Sequence, residues 1–167
     1  MSIGRFSPQR HRERRVKNAE MKENEITNKV IGAAIEVHKA LGPGLLESAY
    51  EECLAHEFYI IGLPFERQKP LPVIYKGVQL DCSYRLDFLV ANKVVIEIKA
   101  IEVLQPIHTA QVLTYLKWGN WSVGLLINFF VPVLKDGIKR IVHNFADDSA
   151  FSASLRLKKP LDKQIYE

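Results

Sequence analysis

The sequence contains little cysteine and no long hydrophobic run. Only two of its 167 residues are cysteines, Cys53 and Cys82, and their spacing fits neither a zinc site nor a disulfide framework. We expect both to be small core residues of a reducing compartment, which favours a cytoplasmic location. The apolar stretch 123–131 is interrupted by Gly124 and Asn128, and it is far shorter than the roughly 20 residues that cross a bilayer. No apolar segment follows the basic N-terminus, so we predict no signal peptide.

Positive charge is concentrated at the N-terminus. Residues 1–20 carry the whole net charge of +4, and the rest of the chain is neutral. Such an arm can bind a nucleic-acid phosphate backbone through its basic side chains. It can equally be a solvated tail without a role, and the sequence leaves both interpretations open. The charged residues of the arm are Arg5, Arg10, Arg12, Arg14, Arg15 and Lys17, with Glu13 and Glu20.

The composition predicts one domain with two tails. Residues 1–23 have few large apolar groups, so we predict a disordered basic tail there. The domain is expected to span residues 24–144. Residues 145–167 lack a clear period and are predicted to be a peripheral C-terminal tail.

Two helices are predicted at the start of the domain. From Glu25 to Leu41, apolar residues recur at spacings of three and four, and a Gly-Pro-Gly turn ends this helix. A second helix is expected from about Leu45 to Ile61. Glu47 lies on its apolar stripe and is therefore a candidate inward-facing acid, although the helix dipole alone also favours a carboxylate in the first turn. The stripe consists of Tyr50, Leu54, Phe58 and Ile61.

The remaining pattern predicts an α/β (α+β layered) fold in which helices flank a mixed β-sheet. One more helix is expected, and its face mixes apolar side chains with His108, Gln111 and Tyr115. The predicted strands are Phe65–Tyr75, Gln79–Val90, Val94–Ala100, Trp121–Phe130 and Ile138–His143, and the predicted helix is Leu104–Trp118, with Leu104, Ile107 and Trp118 on the same face.

The strand that begins at Val94 places opposite charges in an apolar segment. A strand alternates its faces, so Glu97 and Lys99 are expected to point the same way. Asp87 on the preceding strand is expected to lie opposite or nearly opposite Glu97. Two carboxylates at that distance repel each other unless a cation lies between them. A plain ion pair between Glu97 and Lys99 is the alternative interpretation.

The ordered set of Asp87, Glu97, Ile98 and Lys99 resembles the PD-(D/E)XK nuclease superfamily. The proline that often precedes the aspartate is replaced here by Leu86. The Gln111-x-x-x-Tyr115 spacing is similar to a helix of the exonuclease-like branch. The chain from Gly44 through Glu47 to Tyr50 more closely resembles the GxxExxY protein family, a branch of that superfamily. Other pieces similar to that family are Val37-His38, Tyr84–Asp87, Ile107-His108, Gly124–Phe129 and Leu134–Ile138.

This resemblance implies a restriction-endonuclease-like fold and a Mg²⁺-dependent (or Mn²⁺-dependent) nuclease that acts on DNA or RNA. Hydrolysis of a phosphodiester needs a hard cation on oxygen ligands and a nucleophilic water. Asp87, Glu97 and the Ile98 carbonyl would hold the metal together with Glu47. Lys99 would position or activate the water.

The same resemblance makes His38, His108, Gln111 and Tyr115 supporting residues. The alternative is a weak or inactive nuclease-fold module that binds nucleic acid or a protein partner. The sequence leaves the oligomeric state open, with a dimer among the alternatives.

Overall fold

The computed structural model describes residues 21–144, apart from the side chains of Asp81 and Cys82. The tail predicted at residues 145–167 and most of the one predicted at residues 1–23 lie outside the described residues. Within residues 21–144, no helix is long and apolar enough to cross a membrane.

Three α-helices, one short 3-10 helix and five strands make up this part of the chain. The helices are α1 (Glu23–Leu41), α2 (Glu47–Ile60) and α3 (Pro106–Gly119), and the 3-10 helix is Leu134–Gly137. The strands are β1 (Phe65–Tyr75), β2 (Val78–Val90), β3 (Val94–Lys99), β4 (Val123–Asn128) and β5 (Ile138–Val142).

The five strands form one mixed sheet in sequence order. The pairs β1–β2, β2–β3 and β4–β5 are antiparallel, whereas β3 and β4 are parallel. A parallel pair needs a crossover connection, and α3 provides it. Because β3 and β4 lie at the centre with helices on both faces, they read as continuous apolar runs in the sequence.

Two hydrophobic cores lie on opposite faces of the sheet. On one face, α1 and α2 pack against β3 through residues such as Val30, Phe58 and Ile96. On the other face, α3 packs against the same strand through Val112 and Val95. Each fully buried side chain of this size contributes about 1.5–3 kcal/mol to folding. The arrangement confirms the predicted α/β class with helices flanking a mixed sheet.

The predicted apolar stripes of α1 and α2 are wrong at their ends. Leu41 and Ile61, which were expected to complete buried stripes, are 39% and 47% exposed. Ile107 and Trp118 of α3 are also exposed, at 68% and 45%. Leu41 is the last residue of α1, Ile61 follows the end of α2, and Ile107 and Trp118 lie in the first and last turns of α3. Periodicity therefore identified the buried face but not how far the sheet covers it.

A buried tyrosine fixes the turn between α1 and α2. The Tyr50 hydroxyl donates a hydrogen bond to the Gly42 carbonyl over 2.7 Å and accepts one from the Leu45 N–H over 3.2 Å. Its ring stacks on Phe129, with centroids 4.3 Å apart. Gly44 in this turn has a φ of +103°, which L-residues with a side chain rarely adopt. The turn thus determines where α2 begins, and Glu47 is the first residue of that helix.

Candidate active site

The centre of the candidate site is an ion pair on β3. The Lys99 ammonium (Nζ) lies 2.6 Å from Oε1 of Glu97, and the two side chains are only 15% and 4% exposed. Ile96 and Ile98 pack into the core on the opposite face, as strand alternation predicts. The other carboxylate oxygen, Glu97 Oε2, is buried and has no hydrogen-bond partner among the described residues. A buried oxygen without a partner is costly unless something else binds it.

Asp87 lies on the neighbouring strand, close enough to Glu97 for the charges of the two side chains to interact. The last pair of the β2–β3 ladder at this end is Phe88 with Ile96, so Asp87 and Glu97 each lie one residue beyond it. Asp87 Oδ2 accepts a hydrogen bond of 2.7 Å from the Ile98 N–H. The carboxylate therefore satisfies a backbone donor that the β2 main chain leaves free at this end of the ladder.

Burial and mutual repulsion disfavour the charged forms of the two acids. Burial, followed by the nearby Asp87 charge, raises the pKa of Glu97 to about 7, although Lys99 opposes the shift. Burial also raises the pKa of Asp87, against the Ile98 hydrogen bond and the Lys99 charge. Burial alone would lower the pKa of Lys99, but its hydrogen bond to Glu97 and the charges of Glu97, Glu47 and Asp87 raise it overall. The site holds more acid than one lysine neutralises.

Glu47 adds a third negative charge from the first turn of α2. Its Oε1 accepts a hydrogen bond of 3.2 Å from the N–H of Ala100, which directly follows Lys99. Its charge acts on Asp87, Glu97 and Lys99 in the same sense as the other acids. The residue is solvent-exposed, so it borders the site rather than sharing the burial of Glu97.

Sequence reasoning missed a second acid of α2, Glu51. Its side chain is 12% exposed, and Oε1 accepts hydrogen bonds from Arg67 Nε over 2.5 Å and Gln68 Nε2 over 3.0 Å. Its charge also contributes to raising the pKa of Asp87. The available signal was its position four residues after Glu47, which places both acids on one helix face.

Asn128 is another residue whose role was not predicted. It is 2% exposed and lies beside Lys99 at the end of the parallel β3–β4 pair. Its side chain accepts from the Ile101 N–H over 3.1 Å and donates to the Ile101 carbonyl over 2.7 Å. This amide fixes the path of the chain directly after Lys99. A polar residue at the end of an otherwise apolar strand was the signal for such a role.

Gln111 and Tyr115 of α3 lie beside the acids. The Tyr115 hydroxyl accepts a hydrogen bond of 2.5 Å from Gln111 Nε2. Burial raises the pKa of Tyr115 to about 12, with Glu97 and Asp87 adding to the shift. The phenol therefore stays neutral at physiological pH. These two residues form one wall of the site on the α3 face of the sheet.

The two candidate histidines are engaged elsewhere. His38 Nε2 contacts the Val131 carbonyl at 2.8 Å, which joins α1 to the segment after β4. His108 Nδ1 accepts from the Gln105 N–H over 3.0 Å as part of a capping box at the start of α3. Both histidines bind main-chain groups of structural segments within residues 21–144, and their support of the site chemistry stays a prediction.

The donor set suits a magnesium-like ion that keeps several waters. Among residues 21–144, no three Asp, Glu, His or Cys side chains converge into a ready-made metal cage, so Glu47 does not complete one with Asp87 and Glu97. Mg²⁺ usually binds through one or two carboxylates and completes its shell with water and substrate phosphate. The neighbouring carboxyls of Asp87 and Glu97, with Glu97 Oε2 free of any hydrogen bond among the described residues, fit that requirement.

Comparison with known proteins shows the family of the chain. No curated protein matches the chain, and neither does any solved structure. The family model described as the PD-(D/E)XK nuclease superfamily matches residues 24–141, which is most of the chain and includes every element from α1 to β5 except the ends. The chain therefore belongs to the PD-(D/E)XK nuclease superfamily.

Proposed function

We propose that this protein is a metal-dependent nuclease that hydrolyses phosphodiester bonds of DNA or RNA, with Mg²⁺ or Mn²⁺ as the cofactor. The observation that carries the proposal is the pair Asp87 and Glu97. They lie close together just beyond the end of the β2–β3 ladder, and among the described residues one oxygen of Glu97 is buried without a hydrogen-bond partner. Two close carboxylates repel each other, and a bound cation would relieve that repulsion.

Each residue of the site has a separate role in the proposed reaction. Asp87 and Glu97 would hold the metal, with Glu47 at the border and the Ile98 carbonyl as a further oxygen ligand. When bound, the metal supplies Lewis-acid polarisation of the scissile phosphate. Lys99 is close enough to Glu97 to remain fixed at the site, where its ammonium orients the attacking water and offsets negative charge that develops on the phosphate.

The wall formed by Gln111 and Tyr115 has a supporting part in this proposal. The neutral phenol and the carboxamide offer polar groups without adding charge to a site that already holds several acids. Hydrogen bonds from this pair to a phosphate oxygen or to the attacking water would orient the substrate.

We further propose membership of the GxxExxY branch. The support is local: Gly44 has the positive φ that the turn requires, Glu47 begins α2 beside the site, and the Tyr50 hydroxyl closes the turn. Each of the three motif positions thus has a physical function in this chain. A reducing, cytoplasmic location completes the proposal, and the free thiol of Cys53 supports it.

The test uses isosteric replacements. Asp87→Asn and Glu97→Gln should each lower cleavage of labelled single-stranded and double-stranded DNA and RNA by at least about 100-fold in Mg²⁺ or Mn²⁺. Glu102→Gln, at an exposed position on the loop after β3, is the matched control and should cleave like wild type. Cleavage that survives EDTA, or that Glu97→Gln leaves intact, would contradict the proposal.

A second candidate is a nuclease-fold module that binds nucleic acid or a protein partner without turnover. The close pairing of Lys99 with Glu97 favours it, because the ammonium is already engaged by a carboxylate. The chain beyond residue 20 is also neutral, so it offers no excess positive charge for a phosphate backbone. Binding without cleavage under any divalent cation, unaffected by Glu97→Gln, would support this candidate.

A further inference from the structure

Gln68 has a backbone conformation that its position in the sheet does not explain. It lies inside β1, between the ladder pairs Arg67–Phe88 and Lys69–Leu86, yet its φ is +49°. The residue facing it in this register is Asp87. Non-glycine residues in the left-handed region cost about 1–2 kcal/mol. The other described non-glycine residues with positive φ, all at turns or element ends, are Lys76, Ala91, Asn92, Asn120 and Asn144.

The side chain of Gln68 links two carboxylates. Its Nε2 donates to Glu51 Oε1 over 3.0 Å and to Asp87 Oδ1 over 3.4 Å. The other oxygen of Asp87, Oδ2, is held by the Ile98 N–H from the opposite strand. Both oxygens of Asp87 therefore have a hydrogen-bond donor, one from β1 and one from β3.

The carboxamide is itself held in place by an ion pair between α2 and β1. Arg67 Nε binds the same Glu51 oxygen, and Arg67 Nη1 lies 2.7 Å from Glu52. These contacts place Glu51 as a fixed acceptor for one Gln68 N–H. The second N–H is then directed at Asp87.

We propose that Gln68 is a positioning residue that orients the Asp87 carboxylate for metal binding. This inference rests on the proposed function, because it assigns Asp87 to the metal. Groups that hydrogen-bond to a metal-ligating carboxylate typically change metal affinity by 10–100-fold when they are removed. Strained backbone conformations are kept where the position of a side chain matters to the site, which accounts for the positive φ.

The experiment compares Gln68→Gly with Gln68→Ala. Both remove the carboxamide, but only glycine relieves the left-handed backbone. Gln68→Ala loses the hydrogen bonds of the carboxamide and keeps the backbone strain, so it should unfold at a lower temperature than wild type. In Gln68→Gly the relieved strain offsets that loss, so its melting temperature should stay close to that of wild type. Both should bind Mn²⁺ about 10-fold more weakly than wild type in calorimetric titration without substrate. Lys76→Gly is the matched control, since Lys76 has the same φ of +49° in a turn of the β1–β2 hairpin, and it should keep wild-type Mn²⁺ affinity.

The outcomes separate this inference from the nuclease proposal. If metal affinity follows folding stability, with Gln68→Ala weak and Gln68→Gly like wild type, Gln68 is only a structural residue and the inference is overturned. Wild-type Mn²⁺ affinity in both variants overturns it as well. If Asp87→Asn, made in the otherwise wild-type chain, binds Mn²⁺ as tightly as wild type, the proposed metal site itself is wrong, whatever the Gln68 variants do.

Discussion

Asp87 and Glu97 lie close together on adjacent antiparallel strands, each one residue beyond the last ladder pair. Within the residues that the structure describes, the site contains one ammonium, that of Lys99, and it forms its salt bridge with Glu97. The backbone N–H of Ile98 binds Asp87 instead. The two carboxyls are thus held by different kinds of donor, and replacing each should have a different effect.

Glu97→Gln should change how folding stability depends on pH. The pKa of Glu97 is raised from its ordinary value to about 7 in the folded protein. Protonation of Glu97 therefore stabilises the folded state fully below the pKa of the unfolded chain, and this stabilisation is lost as pH rises through about 7. In metal-free buffer, the unfolding free energy of wild type should therefore fall relative to Glu97→Gln between pH 5 and pH 8, by up to about 3 kcal/mol. Urea unfolding at each pH measures this. Parallel pH profiles for the two proteins would mean that Glu97 is ionised throughout.

Lys99→Ala should separate turnover from metal binding. The ammonium cannot ligate a cation, so calorimetric Mn²⁺ titration should give an affinity equal to or above that of wild type, because a competing positive charge has been removed. Cleavage should fall by about 100-fold or more, as for the loss of a group that acts on the transferred proton or developing charge. Lys117→Ala, at an exposed position of α3, is the control. A loss of Mn²⁺ affinity as large as that of Asp87→Asn would show that Lys99 organises the acids instead.

His108→Ala should lower folding stability without changing the rate of cleavage. Its ring accepts from the Gln105 N–H at the start of α3, and losing such a cap costs about 0.5–2 kcal/mol. Cleavage below the melting temperature should match wild type, and so should metal affinity. His56→Ala, on the exposed side of α2, should change neither quantity. A large loss of cleavage with unchanged stability would restore His108 to the supporting residues of the site.

A chain that starts at Met21 should melt within about 2 °C of the full-length chain. The Met21 side chain is 7% exposed, and its carbonyl accepts a hydrogen bond of 2.7 Å from Lys93, so the described fold is already anchored at that residue. A clearly lower melting temperature would show that residues 1–20 pack on the domain. If the arm grips phosphates, the shorter chain should also bind nucleic acid with a smaller salt dependence.

The sequence predicted the layers of this fold and the shared face of Glu97 and Lys99, because strand alternation and helical periodicity are local properties. The closeness of Asp87 and Glu97 was predicted from the short hairpin loop that joins their strands. Glu51 and Gln68 were missed because their contacts depend on how α2 packs against β1 and on one residue with positive φ. No periodic pattern encodes either feature. The supporting role of His108 stays a prediction, because a polar residue near a helix start fits both a capping box, which is present here, and a site-facing position.

The anchoring of Met21 to Lys93 sets a distance scale for substrate contact. Lys93 directly precedes β3, and Lys99 ends it, so the two ends are about 20 Å apart at roughly 3.3 Å per residue. If residues 1–20 bind phosphates, their contacts connect to the fold at Met21, which lies at the Lys93 end of this strand. Along a double-stranded nucleic acid that runs parallel to this direction, that separation corresponds to about six base-pair steps at 3.4 Å each. Full-length protein should then protect a footprint that extends further to one side of the cleavage position than the footprint of a chain starting at Met21.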